Sequence, residues 1–143
     1  MSLRIAMNAA KFQEQLNAAA AKMMTATRPA AQAGAQVIYE RARLNAPVSK
    51  NAHMFHIEGR KYGPFQPGNL RESIYQVFST TRSFRDVSTY EISFNKERAP
   101  YGFTVTRGTS KTTANNFIGK AVVETRATVR NAMKERYILE VNK

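Results

Sequence analysis

Phe12, Leu16, Ala19, Ala20 and Met23 recur at three- and four-residue intervals, the spacing that gathers side chains on one face of a helix. The surrounding stretch from about Met7 to Ala26 is rich in Ala, Gln, Lys and Met and has no Gly or Pro, so propensity supports the same element. Thr27-Arg28-Pro29 interrupts it, because proline lacks an N–H and disfavours helical geometry in the residue before it. Pro29 suits the first position of a second helix running to about Leu44. Ala30, Gly34, Val37, Ile38 and Ala42 then share one face. Such small residues predict close packing against another backbone.

After Asn45-Ala46-Pro47 the periodicity stops. From Val48 to Gly68 the chain holds Gly59, Gly63, Pro64, Pro67 and Gly68, which predicts a long loop. Loops of that length in a compact domain are usually functional or disordered, and Phe55, Tyr62 and Phe65 point to docking on a surface. Leu70 to Ser79 carries Ile74, Tyr75, Val77 and Phe78, and Ser88 to Asn95 alternates Tyr90, Ile92 and Phe94 with Glu91 and Ser93. Both read as strands, the second with one wet face. The connection from Thr80 to Val87, with Arg82 and Arg85, fits a loop in solvent.

Ala99 to Thr109 brings Tyr101, Phe103 and Val105 into alternation between Pro100-Gly102 and Gly108, which predicts a third short strand. Ser110 to Asn116 is a polar, basic loop. Phe117, Ile118, Ala121, Val122, Thr125, Val129, Ala132 and Met133 return to helical spacing, so a helix from about Phe117 to Tyr137 should lie on the sheet. Its other face holds Lys120, Glu124, Arg126, Arg130, Lys134 and Arg136. The expected fold is α+β: a small antiparallel sheet of three to four strands flanked by N-terminal helices and a long C-terminal helix. It is one domain over residues 1–143, with an inserted loop at about 49–67.

Composition adds a partner question. The 143 residues are 43% hydrophobic and 10% aromatic, enough for a single globular core. Twenty-two Lys and Arg against 10 Asp and Glu give a net charge of +12. Charge alone leaves open a solubilising surface and contact with nucleic acid or an acidic protein. The basic face of the last helix admits the same two readings, a solvated face or a nucleic-acid contact. No Cys is present, which excludes disulfides, thiolate zinc sites and a cysteine nucleophile. No apolar run approaches the roughly 18 to 20 residues of a membrane span, and the Ala-rich start lacks a signal-peptide core. A soluble chain made without export is expected.

Candidate chemistry is sparse. His53 and His56 could share a metal, but no Cys, Asp or further His follows at ligand spacing. The acids are scattered and mostly beside Arg or Lys, as in Glu40-Arg41 and Glu97-Arg98, which reads as surface charge balance. Ser73 and Thr109 have no signature of activation. Arg107-Gly108-Thr109-Ser110-Lys111 has the residue types of a phosphate-binding loop without its glycine spacing or following helix, so it reads as a turn. No cofactor is expected, nor an enzyme; a small nuclease using His53 or His56 is the weakest of the competing readings.

Four segments in order carry a resemblance: Asn45-Ala46-Pro47-Val48, Gly68-Asn69-Leu70-Arg71-Glu72-Ser73-Ile74, Tyr101 to Thr109, and Phe117-Ile118-Gly119-Lys120-Ala121. Together they resemble the tail-completion and head-tail joining proteins of tailed bacteriophages, over about Val37 to Val122. The pattern departs from that family at Thr106, where an acid is common, at Asn116, where proline is usual, and in the long loop from Ser49 to Pro67. The resemblance implies a virion structural protein, assembled in the host cytoplasm and placed at the head-tail junction. Its implied partners are copies of itself in a ring of six, portal or head-completion proteins, tail-tube or terminator proteins, and DNA passing through the channel, with no membrane. Phe55, Tyr62, Phe65, Arg82, Arg85, Arg107, Thr109 and Lys111, on the projecting loops, are the expected assembly contacts. The competing reading is a basic nucleic-acid-binding module.

Overall fold

The computed structural model describes residues 1–143. One element organises it: the helix α1, Ala9–Asn45, capped at its start by the Asn8 side chain, which accepts from the Lys11 N–H. Its 37 residues make it about 55 Å long at 1.5 Å per residue. Pro29 lies inside it rather than at the start of a second helix. An internal proline costs a helix about 3 kcal/mol. Here burial of Ala26 and Ala30 on either side holds the helical path, and packing overrides the local break.

The stretch expected as a loop contains a hairpin. Strands β1, His53–Ile57, and β2, Arg60–Phe65, pair antiparallel with Ile57 opposite Arg60. The turn between them is Glu58-Gly59, with φ of 49° and 76°. Two successive residues at positive φ define the tight turn whose twist matches a hairpin. Glu-Gly is a weaker signal for it than Asn-Gly, which is why the strands were hidden in the sequence.

The strand expected at Leu70–Ser79 begins later. Asn69–Ser73 forms a single helical turn, α2, and only Ile74–Phe78 is strand β3. It pairs antiparallel with β4, Tyr90–Phe94, in a regular register from Ile74 opposite Phe94 to Phe78 opposite Tyr90. No third strand joins them: the two sheets have two strands each. The fold is mixed helix and sheet, but the expected sheet of three to four strands is not formed.

The missing strand is a helix. Gly102–Arg107 forms α3, with Val105 N–H bonding Tyr101 O at 3.1 Å and Gly108 N–H bonding Thr104 O at 2.8 Å. Positions 101 and 105 share a face in either conformation, so Tyr101 and Val105 did not distinguish them. Gly102 favours the observed choice: a Cβ there would stand 2.7 Å from Cδ2 of Phe94. Only glycine lets the first turn press onto that ring.

The last helix is divided. Phe117–Glu124 forms α4 and Arg126–Val141 forms α5, separated by Thr125. The buried Thr125 hydroxyl donates to Ala121 O at 2.6 Å, a back-bond that bends helices. Asn116 caps α4 by accepting the Gly119 N–H at 2.9 Å. Both helices pack along α1; α5 lies on α1 rather than on the sheet. A cavity of about 270 Å³, lined by Ala31, Gly34, Ile38, Tyr90, Ile92 and Met133 among others, separates it from β4.

The core sits where the C-terminal half of α1 meets α2, β3, β4, α3 and α4. Ala46, Leu70, Ile74, Phe94, Ala99, Tyr101 and Phe117 form one buried cluster. Phe117 is its largest fully enclosed side chain. No helix is long and apolar enough to cross a membrane.

Candidate functional site

Tyr101 is the post that holds the hairpin. Its ring lies 4.8 Å from that of His53, 4.9 Å from Phe65 and 6.0 Å from Phe55, centre to centre. Its hydroxyl accepts from Asn69 Nδ2 at 3.2 Å, and the same amide donates to Arg98 O at 2.7 Å. Phe55 and Phe65 thus turn inward against the core, while Tyr62 is exposed on β2. His53 faces this cluster and His56 faces solvent, as the period of two in a strand requires. No group of three or more His, Cys, Asp or Glu is placed to hold a metal ion. A cavity of about 260 Å³ opens beside Tyr101, lined by Pro47, Val48, Ser49, His53, Leu70 and Val105 among others. There the Ser49 hydroxyl stands 3.5 Å from His53 Nδ1.

The other expected contact residues are separate from the hairpin. Arg82 reaches Glu91 at 3.6 Å, and Arg85 is exposed with no ion pair. Arg107 ends α3 with its guanidinium 5.9 Å from the centre of the Phe103 ring. Thr109 closes a small turn, its N–H bonded to Thr112 O at 2.8 Å and its hydroxyl accepting the Lys111 N–H at 3.2 Å. Lys111 is exposed. The eight residues therefore lie on three separate segments, the β1–β2 hairpin, the connection before β4, and the end of α3 with the turn after it, rather than in one site.

Ion pairs tie the elements to α1. Arg41 donates to Glu124 at 2.6 Å, and Asn45 adds a second donor at 3.1 Å. These hydrogen bonds, Arg41 first, hold the Glu124 carboxyl below the usual glutamate range. Arg43 donates to Glu72 at 2.7 Å, and that bond raises the guanidinium further above its ordinary value. Lys143 and Arg136 both reach Glu140, at 2.8 and 2.7 Å, and lower it, Lys143 contributing most. Arg28 lies 4.0 Å over the Phe78 ring and clamps α1 to β3. By contrast, Arg126, Arg130 and Lys134 make no ion pair and follow one another at four-residue steps along α5.

The most exposed apolar surface is elsewhere. Every residue of α1 from 9 to 25 is exposed, including Phe12 at 50% and Leu16 at 48%. Met23 and Met24 continue the surface. Residues 1–8 precede it as a wholly exposed segment without regular structure. Phe12, Leu16 and Met23 were visible in the sequence as a helical stripe; the missing signal was that no other segment of the chain was available to cover them. No protein-family model, curated protein or solved structure matches the chain.

Proposed function

We propose that this chain is a structural subunit of the tailed-phage neck, a tail-completion or head-tail connector protein that joins copies of itself in a ring between the portal side and the tail. The observation that carries the reading is the bare half of α1. Only 17 of the 143 residues are buried, and a helix with Phe12, Leu16 and Met23 on its surface projects without a cover. Isolated exposed apolar residues are ordinary, whereas a contiguous stripe of them marks a contact surface. A ring subunit has that need on two sides, towards each neighbour. The segments from Asn45 to Ala121 that resemble the connector family give the reading its place in the virion.

Light scattering and electron microscopy of the purified chain, alone and with portal complexes, test it. Rings are expected. A chain that stays monomeric with every virion component and binds duplex DNA tightly, with a steep loss of affinity on adding salt, would overturn the reading. The second reading, a nucleic-acid module, has one specific support: the unpaired stripe of Arg126, Arg130 and Lys134 on α5. In a ring the same stripe could meet the phosphates of DNA in the channel.

A further inference from the structure

The segment before α1 has a pattern of its own. Leu3, Ile5 and Met7 alternate with Arg4 and Ala6, the period of a strand with one apolar face. The segment has no regular structure of its own, and the three apolar side chains are 85%, 88% and 75% exposed. It has the pattern of a strand and no sheet to join.

Elsewhere the molecule has a sheet without its strand. β3 and β4 form a two-stranded ribbon packed on one face by α1, its other face left open. Asn95 N–H bonds Ser73 O at 2.8 Å and Ser79 N–H bonds Thr89 O at 2.9 Å. With the unbroken register between them, Tyr75 and Val77 bond towards β4, so Ile74, Gln76 and Phe78 turn their backbone groups to the free edge. The Ile74 N–H donates to Arg71 O at the end of α2, whereas no bond from outside the ribbon reaches the backbone groups of Gln76 and Phe78. Natural edges are guarded by charge or proline. The β3 sequence Ile-Tyr-Gln-Val-Phe has neither, while β4 carries Glu91 and borders the cavity shared with α5. Tyr75 and Val77, on the face away from α1, are also exposed.

We infer that residues 3–7 of one copy add as a third strand to the free edge of β3 in the next copy, with Leu3, Ile5 and Met7 covering Tyr75 and Val77. The occupant cannot be the chain's own arm. β3 lies beside α1 from Arg28, over Phe78, to Gln36, which bonds Gln76. At 1.5 Å per residue those points are about 28 and 40 Å along the helix from Ala9. Leu3 reaches at most about 21 Å from Ala9 when fully extended. A second copy has no such limit. With +12 on each chain, residues 1–8 bring only one charged side chain, Arg4, so the contact adds little to the repulsion between copies. Donor and acceptor lie on different parts of the molecule, so each copy gives an arm and takes one, which closes into a ring or runs on as a filament.

The inference rests on the ring reading, and two measurements on the full chain separate their failures. The chain has no cysteine, so a chain carrying Ile5→Cys can be mixed with one carrying Val77→Cys and oxidised. A disulfide-linked dimer is expected, and none when Val77→Cys is replaced by Val123→Cys on α4. Separately, Ile5→Asp should leave the circular dichroism spectrum unchanged and weaken self-association by at least about tenfold in sedimentation. If Ile5→Asp associates like the unchanged chain and no link to position 77 forms, the arm is wrong while the ring reading stands. If the unchanged chain is monomeric at every concentration and in every mixture with portal complexes, both fall.

Discussion

α1 is one helix with two opposite surfaces. Its C-terminal half is packed against the fold, and the residues buried there are small, Ala26, Ala30, Gly34, Ala35 and Ala42, with Ile38 and Tyr39 half-buried beside them. Its N-terminal half is bare, and it carries Phe12, Leu16, Met23 and Met24, all exposed. The distribution is the reverse of what an isolated helix would use to bury area. Small residues sit where the backbone of α5 comes close, as at Gly34, where a Cβ would stand 2.7 Å from Met133 Cγ and 3.2 Å from Val129 Cγ1. The covered half is fitted to this chain, and the bare half leaves its large side chains exposed.

The contrast can be broken from either end. Phe117→Ala, in the enclosed cluster, should cost about 3 to 5 kcal/mol, read as a fall in the denaturant midpoint. Next in size, Gly34→Leu should push α5 from α1 at a cost of about 1 to 3 kcal/mol, with hydrogen exchange quickening first in Arg126–Val141. Glu124→Gln removes the pair with Arg41 across α1 and α4 and should have a small effect that depends on pH. The lowered Glu124 carboxyl stabilises the fold fully above the ordinary glutamate range and loses that contribution as pH falls through its depressed value. The difference between Glu124→Gln and the unchanged chain should therefore be present at neutral pH and vanish in acid. The least effect on folding belongs to the bare half: Phe12→Ala with Leu16→Ala should move monomer stability by no more than about 0.5 kcal/mol. Those two changes should nonetheless weaken self-association, and a large loss of monomer stability instead would show that the bare half is covered within its own chain.

What the sequence disclosed follows the same division. The stripes of α1 and of the last helices, the alternation in β4 and the wet face with Glu91 were legible, because each is a period carried by neighbouring residues in the sequence. Pro29 misled because its local cost is outweighed by packing contributed by α5, nearly a hundred residues away in the chain. Tyr101 and Val105 misled because a four-residue interval belongs to both periods. Phe55 and Phe65 stood out as aromatic in a loop, but only the hairpin register and the position of Tyr101 decide that they face the core. Exposure of Phe12 and Leu16 could not be read at all, since it depends on how much of α1 the short α5 spans.

Pro29 acquires another meaning from this frontier. Its missing N–H leaves the Thr25 carbonyl without the usual helical donor, and Thr25 is the last residue of the uninterrupted exposed run. The helix is thus one bond short where it leaves the body, and a helix bends most readily at such a point. The projecting half works as a lever with its fulcrum at the edge of the fold. On the ring reading proposed above, neighbours at different angles would be met by tilting it, without disturbing the cluster around Phe117.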